Sequence, residues 1–300
     1  MHVLLLAGAT LALPLQDVED GRGDRLVKVE LLSDRGTVRA GEKFALAVSF
    51  QVDPGWHIYW QNPGDSGFPT TAEIRGPEGF EIGPLRYPAP ERVDLEGDIV
   101  EYVHTGEVVL LADVRAPAKL SPGTSLRFEV ECRWLVCTEV CYAGSGKSEV
   151  ALTVAEPRRE PRLANEKLFA GARARTPRPW KDLAGATLSW SRTDECTILA
   201  ITVQDATELE FYPLASGTVS LRSRSRAKDE RMSRLTLLFR FEPRSPDGEP
   251  IVEPKVEPMV EPIVEPMVHG VLRVRTKTGD SCYDLEVPFG QPEPLPPTGK

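Results

Sequence analysis

Apolar residues recur at every second position along much of the chain. The clearest run is Ser125 to Val136, where Leu126, Phe128, Val130, Cys132 and Trp134 alternate with polar neighbours. That two-residue period belongs to a strand with one buried face. Arg25 to Glu30, Lys43 to Val52, Glu107 to Val114 and Ser148 to Val154 show similar alternation or β-branched runs, and Arg39-Ala40-Gly41-Glu42 reads as a turn between the first two. Pro and Gly clusters punctuate these runs at short intervals, and no long helical period stands out. Many short strands with such punctuation predict a sandwich or a barrel.

The pattern breaks at Glu156 to Pro179, a stretch rich in proline and arginine with one short helix-compatible piece around Leu163 to Ala174. It is expected to be an interdomain linker. Strand signals return at Thr187 to Trp190, Thr197 to Val203, Leu209 to Tyr212, Thr218 to Leu221 and Leu235 to Phe241, then at Gly270 to Arg275 and Tyr283 to Val287. This is material for a second β domain about the size of one sandwich. The expected fold is therefore all-β, with two β-sandwich domains joined by a Pro/Arg-rich linker.

Between the last two groups of strands, Val252-Glu253-Pro254, Val256-Glu257-Pro258, Val260-Glu261-Pro262 and Val264-Glu265-Pro266 repeat every four residues. Proline at that spacing forbids helix and central strand, so an extended, solvated loop insertion is expected at 249–268. The tail 291–300, with four prolines, is expected to be disordered.

Charge and composition narrow the function classes. A formal net charge of −9 argues against broad affinity for nucleic acid or anionic lipid. Val3 to Leu15 is apolar or small apart from Thr10 and runs into the acidic Asp17-Val18-Glu19-Asp20. It is too short for a bilayer span, which takes roughly 20 residues, and fits the apolar core of a secretory signal at 1–16, although His2 stands where Lys or Arg is usual. A buried first strand is the alternative. The chain is expected to be exported and not itself membrane-spanning.

Five cysteines are too few for a disulfide-stapled scaffold, and the odd number leaves at least one thiol unpaired within a monomer. Cys137 and Cys141 sit at a strand end with three residues between them. Fully extended, their α-carbons would be roughly 13 Å apart, beyond disulfide range, whereas a hairpin tip over Thr138-Glu139 brings them together. So small a ring adds little stability and suits exchange better than stapling. On spacing alone, a redox pair, a structural disulfide and a metal site all stay open. Cys132 shares the core-facing parity of Phe128 and Trp134 and is expected to be buried and inert. Cys196 and Cys282 lie in the second domain and are candidates for a structural pairing. Asp65 and Ser66 read as turn residues. No cofactor motif, phosphate loop or paired-carboxylate pattern stands out, so no cofactor is expected.

Trp134-Leu135-Val136-Cys137 followed by Cys141 resembles the active-site strand of the N-terminal periplasmic domain of the thiol:disulfide interchange protein DsbD, and is most similar to the longer, copper-sensitivity-suppressor (ScsB-like) branch. Gly55-Trp56-His57-Ile58-Tyr59-Trp60, Asn62-Pro63-Gly64-Asp65-Ser66-Gly67, Tyr87-Pro88-Ala89-Pro90 and Tyr102-Val103-His104-Thr105-Gly106 add to the resemblance. Glu210-Phe211-Tyr212-Pro213, Gly270-Val271-Leu272 and Tyr283 extend it more weakly into the second domain. The resemblance implies immunoglobulin-like sandwiches. It also implies electron transfer from a membrane-embedded thiol–disulfide donor to periplasmic thioredoxin-like proteins, as a component of a protein-disulfide reductase.

By the same resemblance Cys137 and Cys141 are the exchanging pair, and His57, Tyr59, Leu95, Trp134 and Tyr142 are their neighbours. Leu95 is the bulkiest group of Val93-Asp94-Leu95-Glu96, in the place of a capping loop that carries an aromatic residue in the compact form of the family. The membrane conduit and the thioredoxin-like domain are expected in separate proteins. The implied boundaries are 24–156 for the redox sandwich, 157–180 for the linker and 181–290 for the second sandwich. Two rival readings remain at this level. One is a copper(I) or zinc module using Cys137, Cys141, His57 and His104; the other is a non-catalytic structural protein.

Overall fold

In the computed structural model of the chain, residues 21–156, 160, 162–192, 196–214, 219–228, 232–241 and 267–289 are described. The expected signal segment 1–16, the Val-Glu-Pro repeat at 252–266 and the tail 291–300 lie outside them. A short helix α1 (Arg22–Leu26) leads into β1 (Val27–Ser33), β2 (Thr37–Val38), β3 (Lys43–Val52), β4 (His57–Gly64), β5 (Thr71–Arg75), β6 (Glu81–Ile82), β7 (Glu91–Asp94), β8 (Val100–Thr105), β9 (Glu107–Arg115), β10 (Ser125–Cys137) and β11 (Cys141–Val154). Helix α2 (Glu166–Arg175) follows. Then come β12 (Arg178–Pro179), β13 (Ala186–Arg192), β14 (Thr197–Gln204), β15 (Ala206–Pro213), β16 (Val219–Lys228), β17 (Met232–Phe241), β18 (Met267–Thr276) and β19 (Gly279–Pro288). The fold is all-β, as the alternation predicts.

In the N-terminal part, a sheet ordered β1-β3-β9-β6 faces a second ordered β2-β11-β10-β4-β8-β7, with β5 also on β10. Their inner faces make one core that includes Phe44, Leu46, Phe50, Ile58, Leu110, Phe128, Trp134 and Val136. The β10 alternation places Leu126, Phe128, Val130, Cys132 and Trp134 inward. By contrast, β3 is buried at nearly every position. Its second face, with Ala45 and Ala47 beside Val109 and Leu111 of β9, is covered by Phe169 and Ala172 of α2. The helix inside the segment expected as a linker is thus packed on the N-terminal sandwich, where Arg173 Nη2 donates to Asp34 Oδ2 at 2.7 Å and Asn165 Nδ2 to the Ser33 carbonyl at 2.9 Å.

The C-terminal part pairs β12-β19-β18-β15 with β13-β14-β17-β16 around Leu199, Ile201, Phe211, Leu235, Leu237, Leu272 and Leu285. The two parts meet at Trp60, Tyr102, Tyr212 and Val271, all buried, with three edge-to-face aromatic contacts at 5.6–6.3 Å. Polar bonds frame that cluster: Asn62 Nδ2 to the Pro213 carbonyl, Arg224 Nη2 to the Tyr102 hydroxyl and Arg273 Nη2 to the Pro90 carbonyl, at 2.7–2.9 Å. No helix among the described residues is long and apolar enough to cross a membrane.

Candidate functional site

The site is built on the β10–β11 hairpin. Its register runs from Ser125↔Thr153 to Cys137↔Cys141, and Thr138 N–H closes the tip on the Val140 carbonyl at 3.0 Å. Further down, Trp134 faces Gly144, and a Cβ on that glycine would lie 2.3 Å from the indole Nε1. The missing side chain lets the indole lie flat against β11 and donate to the Gly23 carbonyl at 3.2 Å. This packing locks the ladder, and the ladder fixes the tip. Cys137 and Cys141 are therefore direct cross-strand partners, joined by a disulfide with α-carbons 4.2 Å apart. Antiparallel strands hold such pairs at roughly 4.5–5.5 Å without help. Cys137 is 1% exposed, whereas Cys141 is exposed.

Strand β4 joins the hairpin only at its end, through Val136↔Ile58 and Cys137↔His57. It then leaves the ladder, and β5 returns to pair with 129–133. On its other side β4 pairs with β8, Tyr59 opposite Val103. Because partners across a ladder share a face, Cys137, His57, Tyr59, Val103 and Glu101 all project from the outer face of this sheet. Tyr59, Val103 and Cys137 form a buried cluster, with Val93 and Leu135 packed against it. The His57 and Tyr59 rings meet edge to face at 5.5 Å.

Beneath this cluster lies Glu101, only 6% exposed. Tyr59 donates its hydroxyl to Glu101 Oε1 at 3.1 Å, and Ser66 Oγ donates to the same oxygen. Burial first, and then the carboxylate, push the Tyr59 phenol up to about 12. Burial lowers His57 below its ordinary value, with Glu101 opposing. The segment after β4 folds over the cluster. Asp65 N–H reaches the Val100 carbonyl and Asp65 Oδ2 accepts from Val100 N–H, both at 2.8 Å. Gly67, at φ +81°, lies so close over the Tyr59 ring that a Cβ would be 2.3 Å from Cζ.

Not every residue expected beside the pair is there. Trp134 and Tyr142 project from the opposite face: Trp134 packs on Phe50 in the core, and Tyr142 meets Trp56 at 5.8 Å and the Arg22 guanidinium. Leu95 is 44% exposed in the turn of the β7–β8 hairpin, and Val93 takes the contact with the cluster instead. The alternative metal set is not assembled. His104 pairs with Ile58 on the other face, and no group of three or more metal-ligating side chains exists among the described residues. Burial, with Arg273 nearby, lowers His104 to about 3. Cys132 is fully buried and its thiol is raised to about 12, chiefly by burial. Cys196 and Cys282 are not bonded to each other. Glu101 escaped the sequence reading, and Ser66 and Gly67 entered it only as turn and family-motif residues. The signal for Glu101 was an acidic residue directly before the family-like stretch Tyr102 to Gly106.

Residues 25–153 match the family model described as thiol:disulfide interchange protein DsbD, N-terminal. This is a DsbD N-terminal-like domain. Among solved structures, the chain is similar to the N-terminal periplasmic domain of ScsB from Proteus mirabilis, at a TM-score of 0.54 and 13% identity, covering 88% of this chain and 92% of that one. At that identity the likeness is one of fold, and it spans both β parts. The N-terminal domain of Neisseria meningitidis DsbD in the reduced form matches at 16% identity over 42% of this chain and 86% of that one, with a TM-score of 0.26. No curated protein matches the sequence. Within the DsbD N-terminal-like domain, the Cys137–Cys141 disulfide closes the outer end of the central hairpin.

Proposed function

We propose that this chain is an extracytoplasmic thiol–disulfide exchange module whose working pair is Cys137 and Cys141. The observation that carries the reading is the asymmetry of the disulfide: it closes a hairpin tip and offers Cys141 to solvent while Cys137 is covered. In the reduced state the Cys141 thiolate attacks one sulfur of a partner disulfide. The partner's S–S bond breaks and its second sulfur leaves as a thiolate, which takes up a proton. Cys137 then loses its proton and attacks Cys141 Sγ, restoring the internal disulfide and releasing the other partner thiol, so that two electrons pass to the partner. A donor dithiol recharges the pair by the reverse sequence.

The natural partners are a membrane-embedded thiol–disulfide donor and periplasmic thioredoxin-like proteins, with the chain exported as the sequence expects. We assign the redox unit to 24–156 and a second sandwich to 181–290, joined through 157–180, of which helix α2 packs on the first; the cysteines of the second, Cys196 and Cys282, are not bonded to each other. His57 and Tyr59 flank the buried sulfur.

The test is the reduction potential of the pair in the full chain, by glutathione equilibration with mass mapping of each thiol. A value near the roughly −180 to −270 mV of exchange proteins, with this pair reduced before any other change, is expected; one below about −300 mV marks a staple and refutes the reading. Cys137→Ser should accumulate a mixed disulfide at Cys141 with a thioredoxin-like substrate.

A further inference from the structure

We infer that Glu101 is a positioning residue for the disulfide: its buried carboxylate holds Tyr59 over Cys137 and keeps Cys137 protonated in the reduced pair, leaving Cys141 as the attacking thiolate. The inference rests on the exchange reading above and assigns the division of labour within it.

A carboxylate taken out of water is costly unless it is paired and hydrogen-bonded. Glu101 is 6% exposed, yet both its donors, the Tyr59 and Ser66 hydroxyls, are neutral. The chain is rich in arginine, and its other carboxylates take guanidinium partners freely, as Asp34 does with Arg173 and Asp113 with Arg86. Among the described residues Glu101 is held by hydroxyls with no cation beside it, so its field is not offset locally and acts on whatever lies nearby. Glu101 precedes Val103 by two positions on the same face of β8, and Val103 packs with Cys137 in the buried cluster. Two residues along a strand are about 7 Å.

The remaining titratable groups facing the pair are His57 on β4, Glu91 on β7 and Glu139 in the hairpin tip, besides Tyr59. Glu91 and Glu139 are exposed, so solvent screens them. Glu101 is the acid that acts through protein rather than water. Its field falls unequally on the two sulfurs, because Cys137 lies within the cluster while Cys141 is open to solvent. A negative charge beside a thiol favours the protonated form. The buried sulfur is thereby held as a thiol, unreactive toward stray oxidants, until a partner engages Cys141.

The experiment uses the full-length chain, reduced, and follows the pH dependence of alkylation at each cysteine by mass spectrometry. In the parent protein the Cys137 midpoint should lie above that of Cys141. Glu101→Gln keeps an oxygen to accept from Tyr59 but removes the charge. It should lower the Cys137 midpoint by roughly one pH unit or more, as a charge at that distance implies at intermediate dielectric, and move Cys141 less. The same substitution should lower the His57 titration followed by NMR, since the carboxylate opposes the effect of burial there. Tyr59→Phe keeps the charge and removes the tether, so it should speed Cys137 alkylation while leaving its midpoint in place. Coincident midpoints in the parent, or a Cys137 midpoint unmoved in Glu101→Gln, overturn the inference; if Glu101→Gln does not fold, the comparison within the parent decides. None of these readouts needs a redox partner, so failure here leaves exchange itself standing, and failure of mixed-disulfide trapping leaves the charge effect standing.

Discussion

Gly67→Ala is the sharpest probe of how the site is covered. Gly67 sits at φ +81°, where an L residue costs about 1–2 kcal/mol, and its new methyl would fall 2.3 Å from the Tyr59 ring. Gly97 supplies the matched control: its φ is +80° and nothing lies within 4 Å of its added Cβ. Both substitutions carry the backbone cost, and only the first carries overpacking, worth roughly 1–3 kcal/mol. If Tyr59 yields, the loss takes another form, a buried hydrogen bond to a carboxylate worth about 1.5–3 kcal/mol. Gly67→Ala should therefore destabilise the N-terminal sandwich by about 1–3 kcal/mol more than Gly97→Ala. Urea unfolding followed by labelling of Cys132 reads this directly, because that thiol is buried in the N-terminal core. Once the disulfide is reduced, Cys137 should also be alkylated severalfold faster in Gly67→Ala. Equal stabilities for the two variants, with Cys137 no more reactive, would mean that the segment after β4 is not what covers the buried sulfur.

Two further outcomes follow from the packing. Tyr212 is fully buried between Trp60 and Tyr102, and Cys282 packs on the same cluster; Tyr212→Ala should cost about 3–5 kcal/mol at this junction and raise Cys282 labelling while Cys132 stays protected, and an unchanged Cys282 would refute the idea that this aromatic cluster holds the two parts together. His104 is held at a pKa of about 3 against an ordinary 6.5, so between those values the unfolded chain takes up a proton that the folded chain refuses. Stability should accordingly fall as pH drops from 6.5 toward 3, by roughly 4 kcal/mol at about 1.4 kcal/mol per pH unit. His104→Leu should flatten that slope in urea titrations followed by tryptophan fluorescence.

The legibility of the fold tracked the chemistry of each strand. β10 was readable because its inward side chains are apolar and most of its outward ones polar, and β3 because it is a long, nearly continuous apolar run. β4 and β8, which carry the neighbours of the disulfide, were not among the strands read from alternation. Their polar residues, His57, Asn62, Glu101 and His104, break the pattern, and two of them are accommodated by contacts distant in sequence: Glu101 by Tyr59 and Ser66, Asn62 by the Pro213 carbonyl. The helix α2 was visible only as a compatible stretch. Its docking on β3 and β9 explains why β3 is apolar on both faces, which a strand-by-strand reading cannot assign to any partner.

What the sequence determined by itself was the all-β architecture and the pair Cys137 and Cys141. Alternation reports burial on one face, and the spacing of the cysteines across a turn admits a hairpin tip. The tertiary structure decided everything that depends on which face meets which. It sent Trp134 and Tyr142 into the core side, left Leu95 in an exposed turn, placed His104 on the opposite face from the sulfurs, and gathered Glu101, Ser66 and Gly67 around Tyr59. The reason is geometric. A strand inverts its side chains at every residue, so neighbours in sequence part company, and residues from β4, β8 and β10 become neighbours only when the ladder sets their register.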